Sequence, residues 1–307
     1  DLKGPLFPNI GSGDYTNMTS MDAPLWFFWS LQQYIIYTGD KKTIQERYLG
    51  KLRGILEGYK SGTEFNIHMM DSGLIWGGQE GVALTWMDAI TSDGPVTPRI
   101  GCPVEIQALW YNALCFYHEL TGDEEYAALA SKVKDSFDRE FWSWDYGYLA
   151  DVVDGEEKDW SIRPNMIFAT SLPYTILSEE KCDKVLEIVK SKLLTPRGLR
   201  SLSPDDPGYK GYYFGNQTSR DHAYHNGTVW AWLLGHFVEG YLKLHGKAAK
   251  NFVEKIIKGF DGVMTQYGIG TVAEIYDGDA PHRPKGSVSQ AWSIAELLRM
   301  MDLVKRI

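Results

Sequence analysis

The stretch LWYNALCFYHELTGDEEYAALASKVKDSF, residues 109–137, decides the fold class. Its first half is a run of aromatic and aliphatic residues that stops at Thr121-Gly122-Asp123, and Gly122 stands where the end of a helix calls for a left-handed residue. After the turn, Tyr126, Leu129, Ala130, Val133 and Phe137 recur at helical spacing among charged residues, which is the pattern of an amphipathic helix. The stretch is a helical hairpin.

The same pattern occurs twice more. The turn Thr38-Gly39-Asp40 is followed by Ile44, Tyr48, Leu52, Ile55 and Tyr59 at helical spacing, and His245-Gly246-Lys247 separates a third pair of helices. A fourth hairpin is expected from residue 164 to residue 194, turning at Ser178-Glu179-Glu180 with Ser178 placed to cap its second helix. A last helix is expected over residues 289–305, its apolar side drawn from Ala291, Ile294, Ala295, Leu298 and Met301. This gives an all-α chain of about nine helices with no β domain.

Within hairpins the connections are a few residues long, whereas those between hairpins (residues 61–101, 142–163, 195–226 and 268–288) are long. Antiparallel helices joined this way put the short turns at one end and the long loops at the other. The layout is that of an α/α barrel or toroid, with function expected on the long-loop rim.

Composition narrows the functional classes. The 307 residues are 44% hydrophobic and 23% charged, an ordinary globular balance, and the net charge of −9 comes without a basic stripe that could attract nucleic acid or an anionic membrane. No apolar run approaches the roughly 18 residues of a spanning helix, so the chain reads as cytoplasmic. Cys102, Cys115 and Cys182 are widely spaced, without a CxxC, and read as reduced thiols rather than as a disulfide framework or a zinc site. The 11 Trp, 18 Tyr and 12 Phe exceed what a core of this size needs, so some should line a site.

The longest connection contains GLIWGGQEGVALTWMDAITSDGPVTPRIG, residues 73–101, with neither helical nor strand period. Ordinary connections are about 4–6 residues, so a segment of this length is functional or disordered, and its tryptophans and aliphatics argue against disorder. Asp88 sits among Trp86, Met87 and Ile90, where desolvation is expected to raise its pKa and make it a general acid. Glu274, in Val272-Ala273-Glu274-Ile275-Tyr276, is the other carboxyl with the most apolar neighbours. Every long loop joins aromatics to carboxylates or hydrogen-bonding groups, the mixture that sugar recognition needs: aromatic faces cover the C–H face of the ring while polar groups hold its hydroxyls. Both carboxyls can equally be loop residues that cap turns, and Glu105, after Pro103 at a helix start, fits a helix-start role as well as a binding one. Asp145, Asp151, Asp154, Glu156 and Glu157 read as a solvated acidic loop. His222 and His225 lack a third ligand at usable spacing, so no metal is assigned and hydrogen bonding is the favoured role. Trp230 and Trp232 are placed in a helix, and Trp26 and Trp110 at helix starts, free to face the rim.

Several ordered blocks resemble the amylo-α-1,6-glucosidase domain of glycogen debranching enzymes. They are Asp22-Ala23-Pro24-Leu25-Trp26-Phe27, Thr85-Trp86-Met87-Asp88-Ala89, Thr97-Pro98-Arg99-Ile100-Gly101, Leu109-Trp110-Tyr111-Asn112, Arg163-Pro164-Asn165, His225-Asn226-Gly227-Thr228-Val229-Trp230 and Ala273-Glu274-Ile275-Tyr276-Asp277-Gly278. The resemblance runs from about residue 22 to residue 298. It implies an (α/α)6 barrel over residues 1–307 and inverting hydrolysis of α-1,6-linked glucose at the branch points of glycogen or limit dextrin, without a cofactor. It implies the general acid at Asp88, the general base at Glu274, and substrate contacts at Asp22, Trp26, Trp86, Arg99, Glu105, Trp110, Asn112, Arg163, Asn165, His225 and Trp230. The family's Trp-Gly-Arg-Asp segment and further helices are expected before Asp22, so a separate N-terminal fragment or domain completing the barrel is an expected partner beside the α-glucan. The alternative kept open is an α-glucan-binding module without catalysis.

Overall fold

Gly39 and Gly122 both adopt the left-handed conformation read from the sequence, at φ 72° and 71°. In the computed structural model, which describes residues 4–8 and 18–307, each closes a helix by donating its N–H to the carbonyl four residues back. Asp1 lies outside the described residues. The described chain is mostly helical with a few small sheets, and it divides into two compact units, Asp1–Ser143 with Leu149–Asp159 and Leu172–Leu177, and Trp144–Tyr148 with Trp160–Ser171 and Ser178–Ile307.

In the first unit, α1 (Ala23–Thr38) leads through Gly39 into α2 (Lys41–Arg47) and α3 (Leu49–Ser61). The single helix expected after the first turn is two, parted at Tyr48, whose ring packs edge-on against Phe27 at 5.8 Å. Asp40 caps α2 by accepting from the Thr43 N–H at 2.9 Å. The second hairpin is α4 (Val104–Thr121) and α5 (Glu124–Phe141), with Asp123 capping α5. α4 is buried on almost every face, whereas α5 buries one stripe, Tyr126, Ala130, Val133, Ser136, Phe137 and Phe141. α4 is therefore the centre of this unit, packed between α1 and α5.

The second unit repeats the scheme around α9 (Leu233–His245). The first arm of its opening hairpin is shorter than expected, a 3-10 turn at Pro164–Ile167 and the one-turn α6 (Phe168–Ser171), because Pro173 removes a donor and pushes Leu172 away from helical geometry. Ser178 caps α7 (Glu179–Lys192) through the Lys181 N–H, as read from the sequence. α8 (Gln217–Tyr224) lies inside a long connection and is capped by Asn216. α9 is buried nearly all round and packs against α6, α7 and α11 (Ala291–Lys305), and its Tyr241 ring meets Phe252 of α10 (Lys250–Lys258) at 4.8 Å. Gly246 turns the third hairpin at φ 52° and ψ −136°, outside the left-handed helical well, and leads through a 3-10 turn into α10.

The long connections hold more order than their lack of period suggests. Short antiparallel ladders pair His68–Met69 with Ile75–Trp76 and Ile90–Thr91 with Gly94–Pro95, and join Cys102–Pro103, Val152–Asp154 and Glu157–Asp159 in a three-stranded sheet. In the second unit a five-stranded sheet runs in the spatial order 284–285, 275–276, 229–230, 198–200, 194–195. Val229 sits between Arg200 and Tyr276 in register. Trp230 is therefore a strand residue rather than a helical one, while Trp232 stands immediately before the first residue of α9. All three cysteines are free, with Cys102 and Cys182 buried and Cys115 half-buried. No described helix is long and apolar enough to cross a membrane.

Candidate active site

The first unit gathers Asp22, Trp26, Trp86, Asp88, Arg99, Glu105, Trp110 and Asn112. Asp22 stands before α1 and is buried, accepting from the Ser20 hydroxyl at 2.5 Å. Burial pushes its carboxyl up from the usual range, while hydrogen bonds from Ser20 and the backbone of Trp86 pull the other way. The Met21 N–H donates to Leu84 O at 2.8 Å, which ties the start of α1 to the segment carrying Trp86 and Asp88. Trp26 and Trp86 are half-buried. Asp88 is exposed, beside Met87, which is buried at 1% exposure.

Arg99 lies in a buried ion cluster. Its guanidinium donates to both oxygens of Glu105 in a fork, at 2.7 Å from Nη2 to Oε2, and Nε donates to Asp151 Oδ2 at 2.9 Å. A further bond from Nη1 reaches the Thr85 hydroxyl at 3.2 Å. Burial draws the Arg99 pKa down, but the Asp151 and Glu105 carboxylates outweigh it and hold the guanidinium charged. Burial pushes Glu105 up, and Arg99 opposes that shift. Asp151, read from the sequence as part of a solvated acidic loop, is instead 1% exposed. Its apolar flanks, Leu149-Ala150 and Val152-Val153, were the signal that the surrounding acidic residues masked.

Trp110 is fully buried rather than facing a rim. Its indole stacks on Tyr59 at 6.0 Å, and its Nε1–H donates to Gly73 O at 3.1 Å. Asn112 is also fully buried, in a reciprocal amide pair with Gln32 that joins α4 to α1.

The second unit builds a tighter constellation around Glu274. This residue precedes the strand Ile275–Tyr276 and is half-buried. Its Oε1 accepts from the Tyr224 phenol at the end of α8, and its Oε2 accepts from the Ser287 N–H at 2.7 Å. The Glu274 N–H donates in turn to Ser287 O at 3.0 Å. Gly286 lies against the carboxylate at φ 68°. Trp230 is buried and stacks on His225 at 5.2 Å, while its Nε1–H donates to Tyr224 O at 3.0 Å. Arg163 donates to the carbonyls of Ser201 and His225 at 3.2 and 2.7 Å and to Asn226 Oδ1 at 3.0 Å. Asn165 is fully buried beside it in sequence. Asp277, also buried, accepts from the Tyr213 N–H at 2.9 Å, and the Tyr213 ring lies 5.7 Å from that of Tyr224.

Tyr224, Tyr213 and Ser287 escaped the sequence reading. Tyr224 lies between His222 and His225, but nothing local links position 224 to position 274. Among the described residues no group of three or more His, Cys, Asp or Glu comes together in a way that could hold a metal ion. Chemically, Glu274 is a carboxylate with both oxygens held by donors, as a base that must aim one lone pair at a water requires.

Comparisons with known proteins give the family and the fold likeness of the chain. The chain is 27% identical to the glycogen debranching enzyme of Saccharomyces cerevisiae over an alignment covering 61% of this chain and 15% of that enzyme's length. In fold it is similar to neutral trehalase from Saccharomyces cerevisiae, with a TM-score of 0.55 and 14% identity over 73% of this chain and 42% of the trehalase. The family model for amylo-alpha-1,6-glucosidase matches residues 1–299, and the chain belongs to that family.

Proposed function

We propose that this chain is a glycoside hydrolase that acts on α-glucan, cleaving α-1,6 branch linkages of glycogen or limit dextrin with inversion and releasing glucose. Asp88 protonates the departing glycosidic oxygen, and Glu274 takes a proton from the water that attacks the anomeric carbon from the opposite face. The observation that carries the reading is the fixed orientation of the Glu274 carboxylate between the Tyr224 phenol and the Ser287 amide. Family membership, the likeness to a debranching enzyme and the fold likeness to a trehalase support it.

Asp88 is exposed, and a sugar bound over it would supply the desolvation that a general acid needs. The half-buried rings of Trp26 and Trp86 suit the C–H face of a glucose unit. The repeated hairpins and the fold likeness to a trehalase support an (α/α)6 barrel as the architecture. The test is incubation with a phosphorylase limit dextrin while free glucose is followed by NMR. Inversion at an α-linkage gives β-glucose first. Absence of glucose, α-glucose as the first product, or an unchanged rate in Asp88→Asn or Glu274→Gln would sink the assignment.

A further inference from the structure

We infer that Tyr224 is the positioning residue of the general base, holding the Glu274 carboxylate so that one oxygen faces the attacking water; the inference rests on the function proposed above. Three observations meet here. The Tyr224 phenol donates to Glu274 Oε1 while the Ser287 N–H, 2.7 Å away, donates to Oε2, so rotation of the carboxylate is opposed from both sides. Tyr224 itself is fixed. It ends α8, a helix capped by Asn216, and its carbonyl accepts from both the Thr228 hydroxyl and the Trp230 Nε1–H. Its ring is set among His225 at 4.7 Å, Trp230 at 4.9 Å and Tyr213 at 5.7 Å.

This arrangement lets the phenol act through Glu274 without touching substrate. A carboxylate has two oxygens, and a base needs a lone pair of one of them aligned with the water O–H bond. A half-buried glutamate on a loop can sample several rotamers, and each misaligned one lowers the fraction of encounters in which the proton is taken. Tyr224 and the Ser287 amide together leave one orientation. In the reacting complex the water oxygen bonds to the anomeric carbon, its proton passes to Glu274, and the bond to the leaving oxygen breaks.

The experiment is Tyr224→Phe in the intact protein, a change that keeps the ring packing and removes one oxygen. With limit dextrin, kcat is expected to fall by about 10- to 100-fold, part of the roughly 10²–10⁴-fold that a positioned general base contributes, while KM stays near the wild-type value. The second arm uses α-glucosyl fluoride with and without azide. Azide attacks the anomeric carbon and expels fluoride with no proton to remove, so it bypasses the base. Azide should restore turnover of Tyr224→Phe, and of Glu274→Ala as the control, through β-glucosyl azide. An unchanged kcat in Tyr224→Phe overturns the inference, as does a lowered kcat that azide leaves low, since the phenol is then only a structural tie. Failure of the underlying reading looks different: wild-type protein releases no glucose, or Glu274→Gln equals wild type.

Discussion

Gly286→Ala places the geometry around Glu274 under direct strain. A Cβ built at position 286 lies 2.4 Å from Glu274 Oε2 and 3.1 Å from Glu274 Cβ and Cδ. Ordinary carbon–oxygen contact is roughly 3.4 Å, so the carboxylate must move by about 1 Å or the backbone must open by as much. Oε2 is the oxygen that accepts from the Ser287 N–H at 2.7 Å, and a shift of that size breaks the bond. Misplacing a reacting group by about 1 Å costs on the order of 10²-fold in rate. The backbone adds a second effect, since φ at Gly286 is 68° and a Cβ there costs about 1–2 kcal/mol. The expected result is a kcat for glucose release lowered on the order of 100-fold with a far smaller change in KM, together with a stability loss of about 1–2 kcal/mol in urea unfolding. The two readouts separate the causes. A variant that loses the expected stability but keeps kcat within about threefold of wild type would show that the loop carrying Gly286 does not aim the base, and the reasoning fails.

Other perturbations follow from the same geometry. Arg99→Met leaves the buried Glu105 and Asp151 carboxylates facing each other without a cation, and should cost about 3–5 kcal/mol in denaturant unfolding; a loss under about 1 kcal/mol would mean the cluster is solvated. His236 is fully buried against the Ser171 hydroxyl at 2.9 Å, and burial first, with Arg299 and Lys243 adding to it, holds its pKa well below 6.5. The unfolded chain takes up a proton as pH falls through 6.5 and the folded one resists it, so stability drops on acidification below 6.5. His236→Gln should flatten that part of the stability–pH curve, and parallel curves for the two proteins would refute the assignment. Asp88→Asn should slow limit dextrin cleavage while sparing α-glucosyl fluoride, whose leaving group needs no proton; equal losses on both substrates would remove Asp88 from the acid role.

The helices were legible because their signals are local. Gly39 and Gly122 end helices in left-handed geometry, Ser178 caps α7, and α5 shows its buried stripe in sequence. The sheets were not, because a strand of two residues carries no period and its partner lies far along the chain: Val229 pairs with Arg200 on one side and Tyr276 on the other. The site divides in the same way. Glu274 could be found from its apolar neighbours, but Tyr224 could not, since a contact fifty residues apart leaves no mark on either segment. Asp88 shows the limit of arguing burial from neighbours. Met87 is buried while Asp88 beside it is exposed, so apolar neighbours in sequence do not fix the exposure of a carboxyl.

Each unit uses the same device to hold its polar groups. α4 and α9 are the helices buried on nearly every face, and each emerges from a short antiparallel sheet: Cys102–Pro103 leads directly into α4, and Val229–Trp230 leads through Trp232 into α9. A helix packed all round cannot shift without disturbing its whole unit, so the strand at its N-terminal end is fixed in position. What that strand pairs with is fixed in turn. In the first unit it pairs with Val152–Asp154, next to Asp151, and so brings Asp151 to Arg99 and to Glu105 in the first turn of α4, where a carboxylate is also favoured by the free N–H groups. In the second unit it pairs with Ile275–Tyr276, next to Glu274, and so brings Glu274 to Tyr224. Long loops are ordinarily the mobile parts of a fold. Here two of them are tied by two or three residues of strand to the most buried helix of their unit, which is how Asp151 and Glu274, both on loops, are held in place.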